Sequence, residues 1–192
     1  MSKSRKLIII IILAALVLAG VLVYRNYQSG SNSNLLSKIM MANTLKLTST
    51  AFEHNGLIPE KYTCDGQNFN PPLAILGVPA NAKSLALIVD DPDASIAGGW
   101  DHWIIYNLPP TTTELKEGEP PLGLLGVGSS GNANYDGPCP PSGTHRYFFK
   151  LYALDTELAL SIGASKTELE TAMRGHIVDE VELIGRYART KV

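Results

Sequence analysis

Nine residues, Arg146 to Leu154 (RYFFKLYAL), constrain the fold more than any other stretch of this chain. Tyr147, Phe149, Leu151 and Ala153 alternate with their neighbours, so an extended backbone gathers them on one face. Such a face must be buried, and other strand-like runs can supply the cover. Leu45 and Leu47 alternate with polar residues as a first strand. Ser84 to Val89 (SLALIV) is a continuous apolar run of strand length, the pattern of a central strand covered on both sides. His102 to Tyr106 (HWIIY) is aromatic and β-branched. Val181, Leu183, Gly185 and Tyr187 alternate as a last strand.

Between these runs lie breakers. The chain holds 17 Gly and 12 Pro, a turn-rich composition. Phe52 to Tyr62 reads as a loop with short extended pieces. Asn70-Pro71-Pro72-Leu73 is extended, since a residue before proline avoids the α region. Pro109 to Gly128 is a long loop with little periodicity. One helix is clear. Ser165-x-x-Glu168 is a capping box, Leu169, Ala172 and Met173 form a stripe, and Gly175 ends it. Several strands, a helix and Pro-rich loops predict a mainly β fold, a β-sandwich with appended helices.

The N-terminus is of another kind. Lys3, Arg5 and Lys6 precede an unbroken apolar run from Leu7 to Val23, near the short end of what spans a bilayer as a helix. Tyr24, Arg25 and Tyr27 sit where interfacial residues sit, and the basic side stays in the cytoplasm, so the remainder would be exported. Residues 1–27 therefore read as an anchor, or as a signal segment if cleaved. Gln28 to Ser37 is Ser-, Asn- and Gly-rich, and 28–41 is expected as a flexible linker. The folded domain is expected over 42–192.

Charge excludes one class of partner. Sixteen Lys+Arg against 18 Asp+Glu leave a net charge of -2, with no electrostatic reason to expect nucleic acid. Two cysteines, Cys64 and Cys139, cannot build a four-cysteine zinc site. Both lie in Pro/Gly-bounded loops. In a reducing compartment they are thiols; in an exported domain they can pair. Nucleotide-binding, hydrolase and zincin motifs are absent from the sequence, and no cofactor is expected.

Three segments join ionisable groups to restricted backbone. Val89-Asp90-Asp91-Pro92-Asp93-Ala94 follows the apolar run, where Pro92 holds Asp91 extended. Gly99-Trp100-Asp101-His102-Trp103 puts Trp100 and His102 on one face at period two. Gly137-Pro138-Cys139-Pro140-Pro141-Ser142-Gly143-Thr144-His145-Arg146-Tyr147 leads into the strongest strand, with His145 and Tyr147 on a common face. Singly, each has a plain structural reading: an Asx turn, a packed histidine, a stiff loop.

Together, DDPDA, WDHW, GPCPPSGTHRY and the AMRGHI…ELIGRY ending resemble the phosphatidylethanolamine-binding protein family, in its bacterial Raf-kinase-inhibitor-like branch. The resemblance runs from about Leu45 to Arg189. It implies a large central antiparallel sheet, a smaller second sheet, one or two peripheral helices, and a small anion pocket. Carried onto this sequence, the pocket residues are Asp91, Trp100, His102, Gly137, Pro138, His145 and Tyr147, with Asp93 orienting the loop. Ser95 stands where the family usually has a second proline. The chain also ends soon after its last strand, where eukaryotic members add a helix.

The expected function is a binding or regulatory module for a small anionic or phosphorylated ligand, with a kinase or protease as the kind of protein it would inhibit or scaffold. A homodimer is left open. The alternative is a hydrolase using Asp91, His102 and His145 as acid and base; its nearest nucleophile is Cys139. Two imidazoles and the loop N–H groups are expected to donate to the anion, and the carboxylate beside them to favour their protonated forms.

Overall fold

The computed structural model describes Tyr24, Arg25 and residues 44–189; the apolar run Leu7–Val23 and the linker Gln28–Ser37 lie outside the described residues. The chain divides into units Met1–Ala42 and Asn43–Val192, and the second carries the fold. Its strands are β1 (Lys46–Ser49), β2 (Gly56–Leu57), β3 (Leu73–Leu76), β4 (Ser84–Asp91), β5 (Trp100–Leu108), β6 (Glu114–Leu115), β7 (Leu124–Leu125), β8 (Thr144–Leu154) and β9 (Ile177–Ala188), with an α-helix α1 (Lys166–Met173) before β9 and a 3-10 turn at Glu60–Tyr62.

Two sheets form. The larger has the order β2-β9-β8-β4-β5-β7, the smaller β1-β3-β6. The central pairings β9-β8, β8-β4 and β4-β5 are antiparallel. At the edge of the sheet the two-residue strand β2 runs parallel to β9. The long loop Pro109–Gly128 also contains β6 and β7, strands too short to show any period.

β4 is buried at every position, and the two faces of the large sheet explain why. Leu85, Leu87 and Val89 meet Leu45, Leu47, Leu73 and Ile75 of the small sheet and the Tyr147–Phe149–Leu151–Ala153 face of β8. Ala86 and Ile88 face the other way, into Ile104, Tyr106, Leu158, Leu169 and Met173. β4 is the middle layer of three, so it has no solvent face to fill with polar residues. Each such Leu or Ile contributes about 1.5–3 kcal/mol by burial.

The capping box expected at Ser165 is present: its side chain accepts from the Glu168 amide, and the Glu168 carboxylate accepts from the Ser165 amide. Lys166 of helix α1 joins a half-buried ion network. Lys166 Nζ donates to Asp90 at 2.7 Å and to Asp101 at 2.9 Å, and Lys150 Nζ also donates to Asp90. Asp90 and Asp101 are cross-strand partners, a like-charge pair that needs a cation between them. Burial lowers the Lys166 pKa, but hydrogen bonds to the two carboxylates outweigh it and the net shift is upward.

Candidate functional site

Asp90 and Asp91 are neighbours on β4, so period two sends their side chains to opposite faces. Asp90 joins the Lys166 network. Asp91, 3% exposed, ends β4 at the rim of the large sheet on the other face. One of its oxygens accepts from the Asp93 amide at 2.8 Å, an Asx turn closed across Pro92. The other accepts from His145 Nδ1 at 2.7 Å. Asp93 turns outward, accepting from the Arg146 amide and holding its guanidinium in a two-bond fork. That hydrogen bonding to Arg146 lowers the Asp93 pKa. Asp93 thus ties the loop to the start of β8.

His102 reaches the same place by a different route. Val89 pairs with Trp103, yet Asp90 pairs with Asp101, so His102 is the extra residue of a β-bulge. The bulge breaks the alternation read from HWIIY. Trp103 packs into the core shared with the small sheet, while the His102 ring stacks edge-on to Tyr147 of that same core, centroids 5.2 Å apart. Gly99, in a left-handed conformation at φ 78, lets the approach to β5 pass the Asp91 carbonyl, which a Cβ would meet at 2.6 Å.

The third wall is the loop leading into β8. His102 Nδ1 lies 2.6 Å from the Asp136 carbonyl. A carbonyl only accepts, so Nδ1 carries the hydrogen and the neutral ring keeps a lone pair on Nε2. That Nε2 is buried and has no partner. Burial lowers the His102 pKa; the Asp136 carbonyl and Asp91 oppose this and do not overcome it. The expectation that a nearby carboxylate leaves both imidazoles readily charged is therefore corrected for His102: desolvation is the larger effect.

A second correction concerns the loop amides. The Gly137 N–H donates to Asn68 Oδ1 at 2.8 Å, and the Asp136 N–H to the His102 carbonyl. Pro138 has no N–H. These groups hold the loop in place and are not free for an anion. Gly137 is there for close approach: a Cβ would meet Asn68 Oδ1 at 2.4 Å and the Tyr62 carbonyl at 2.7 Å. Cys64 and Cys139 are joined as a disulfide with Cα atoms 5.4 Å apart, and the Cys64 amide donates to the Pro138 carbonyl. Cys139 is therefore no thiol nucleophile.

These walls enclose a cavity of about 400 Å³. Asp91, Trp100, His102, Gly137 and His145, all named from the sequence, line it. Asp93, Pro138 and Tyr147 do not: Asp93 and Pro138 brace the loops, and Tyr147 lies beneath His102. The Tyr147 hydroxyl is buried without a partner of good geometry, although the Cys139 amide comes near enough to temper its pKa, which burial pushes up strongly. Sequence reasoning missed Asp136 and Ile96, and took Ser95 only as a departure; all three are in the lining. The position of Asp136 next to Gly137-Pro138 was the available signal. Among the described residues no cluster of three or more His, Cys, Asp or Glu side chains is arranged to hold a metal ion.

The fold and the site define a class of protein: a two-sheet β domain with an Asp–His pair and a second, bulge-borne histidine gathered at one rim of its central sheet. The family pattern for phosphatidylethanolamine-binding proteins matches residues 48–188, and the chain belongs to that family. A UPF0098 protein of Methanothermobacter thermautotrophicus is 54% identical over 151 residues, covering 76% of this chain and 99% of the relative. One of Chlamydia pneumoniae is 45% identical over 150 residues, covering 76% of this chain and 100% of the relative. Two solved structures share the fold. A phosphatidylethanolamine-binding protein homologue of Chlamydia trachomatis superimposes with a TM-score of 0.73 at 44% identity, covering 77% of this chain and 99% of that one. The E. coli protein YbcL, described as a new member of the mammalian family, gives 0.71 at 30%, covering 76% and 99%.

Proposed function

We propose that this protein is a binding and regulatory module that takes a small phosphorylated or otherwise anionic ligand in the cavity between Asp91, His102 and His145. The carrying observation is the convergence of His145, whose Nδ1 is held by buried Asp91, with His102, whose Nε2 is buried without a partner. A buried polar atom left unsatisfied costs about 1–3 kcal/mol, and a ligand that satisfies it recovers that cost. Family membership supports the binding class. The half-exposed side chain of Ile96 in the lining offers an apolar contact beside the polar groups, the usual mixture in a small-molecule site. A protein partner such as a kinase or protease would read the ligand through the loops around the cavity. The charged start and apolar run of the sequence support attachment to a membrane, with this domain on the exported side.

Calorimetric titration with inorganic phosphate tests the reading. His145→Ala removes an imidazole from the cavity wall and is expected to weaken binding by about 1–3 kcal/mol, as is His102→Ala. Affinity unchanged in both variants refutes the site.

A further inference from the structure

The Cys64–Cys139 bridge takes no part in the chemistry proposed for the cavity, yet Cys139 stands in the cavity wall. Both cysteines are exposed in the folded domain. A disulfide that staples a core is shielded from other thiols, whereas an exposed one is open to exchange and is the more readily reduced kind. What the bridge holds differs on its two sides. Ahead of Cys139 the loop is tied to the 62–68 segment by other bonds. The Tyr135 hydroxyl donates to the Tyr62 carbonyl at 2.9 Å, the Gly137 amide to Asn68 Oδ1 at 2.8 Å, and the Cys64 amide to the Pro138 carbonyl at 3.1 Å. After Cys139 the packing is thinner. From Pro140 to Thr144, Pro140 alone is buried, and a Cβ built on Gly143 would meet no atom within 4 Å. Pro140 and Pro141 of this stretch are cavity wall, and the bridge is the covalent clamp at its start.

We propose that the Cys64–Cys139 bridge is a thiol-exchangeable latch: a small thiol opens it in the folded protein, and the cavity wall from Cys139 onward loosens while the part that orients His102 stays in place. The exchange balances in two steps. A thiolate of the small thiol attacks one cysteine sulfur, the bridge breaks, and the other cysteine leaves as a thiolate. A second thiolate attacks the mixed disulfide so formed, which releases the second cysteine thiolate and the small thiol's own disulfide. Both cysteine thiolates take up protons from solvent, and the two electrons come from the small thiol. His102 keeps its orientation because the Asp136 carbonyl facing its Nδ1 lies on the side of the loop that the hydrogen bonds hold. The latch thus acts on access to the cavity through a local opening, whichever ligand the cavity takes.

Reduced glutathione added to the full chain tests this. Thiols counted after acid quenching are expected to appear at a rate proportional to the glutathione concentration, with the near-ultraviolet circular dichroism of the fold retained. Hydrogen exchange, read amide by amide, is expected to quicken about tenfold or more at Cys139 and to stay unchanged at Gly137. The Cys139 amide is the reporter because it lies near the Tyr147 hydroxyl beneath the cavity. Thiol release that levels off at the rate of global unfolding would show a shielded staple and overturns the proposal. So does reduction that leaves Cys139 exchange unchanged, because the wall then does not depend on the bridge. Loss of protection at Gly137 together with Cys139 overturns it as well, since the bridge would then hold the whole loop. None of these results bears on the anion reading, which the phosphate titration tests separately.

Discussion

Gly137 shows how single residues set this site. The loop passes so close to Tyr62 and Asn68 that no side chain fits, and the same closeness lets its N–H bond to Asn68. Gly137→Ala forces backbone or Asn68 to move and is expected to cost about 1–3 kcal/mol of stability, read from the denaturation midpoint. An unchanged midpoint would mean the loop has slack that its contacts do not show. His102 sets the pH response. Its folded pKa lies below the ordinary value, so as pH falls below about 6.5 the unfolded chain takes up the proton first. The stability from a neutral His102 is fully present above that pH and is lost as pH drops toward the folded pKa, with a slope of at most about 1.4 kcal/mol per pH unit. Denaturation at pH 7.5 and pH 5 should show wild type losing more stability than His102→Phe. Equal losses would place the pH sensitivity elsewhere.

At the scale of elements, the disulfide and the bulge matter most. Cys64–Cys139 closes a loop over a sequence separation of 75 and pins a cavity wall to the segment after the 3-10 turn. Nearby, Asp65 accepts from the Tyr187 hydroxyl and from Arg189, tying that segment to the end of β9. A loop of that length is worth about 2–5 kcal/mol. Cys64→Ala with Cys139→Ala should lower the denaturation midpoint by that amount, and a double variant as stable as wild type refutes it. Much of this organisation was legible beforehand. RYFFKLYAL, the capping box and SLALIV carry strong local signals, because a strand face or a helix cap depends on neighbours in sequence. β2, β6 and β7 were not legible, since two residues have no periodicity and pair only because partners are present. The bulge at His102 was not legible either: HWIIY reads as an unbroken alternation, and only pairing with β4 shows the extra residue.

For the whole molecule, the prediction concerns the segment ahead of the fold. Full-length protein is expected to sediment with membranes, and a mature N-terminus sequenced near Ser29–Asn34 would point instead to cleavage. Among the described residues no helix is long and apolar enough to cross a membrane; the Leu7–Val23 run lies outside them. The sequence by itself determined the β class, the principal strands, the helix and its cap, the turn chemistry at Asp91-Pro92-Asp93, and the pairs Trp100/His102 and His145/Tyr147. These follow from local geometry, through side-chain period and the limits proline places on its neighbours. The tertiary structure alone decided which of those residues face one cavity, that Tyr147 lies beneath it, and that Asp136 orients His102. It also decided that the Gly137 amide is consumed by Asn68 and that desolvation governs His102. Those outcomes depend on burial and on partners dozens of residues away, and a one-dimensional pattern carries neither.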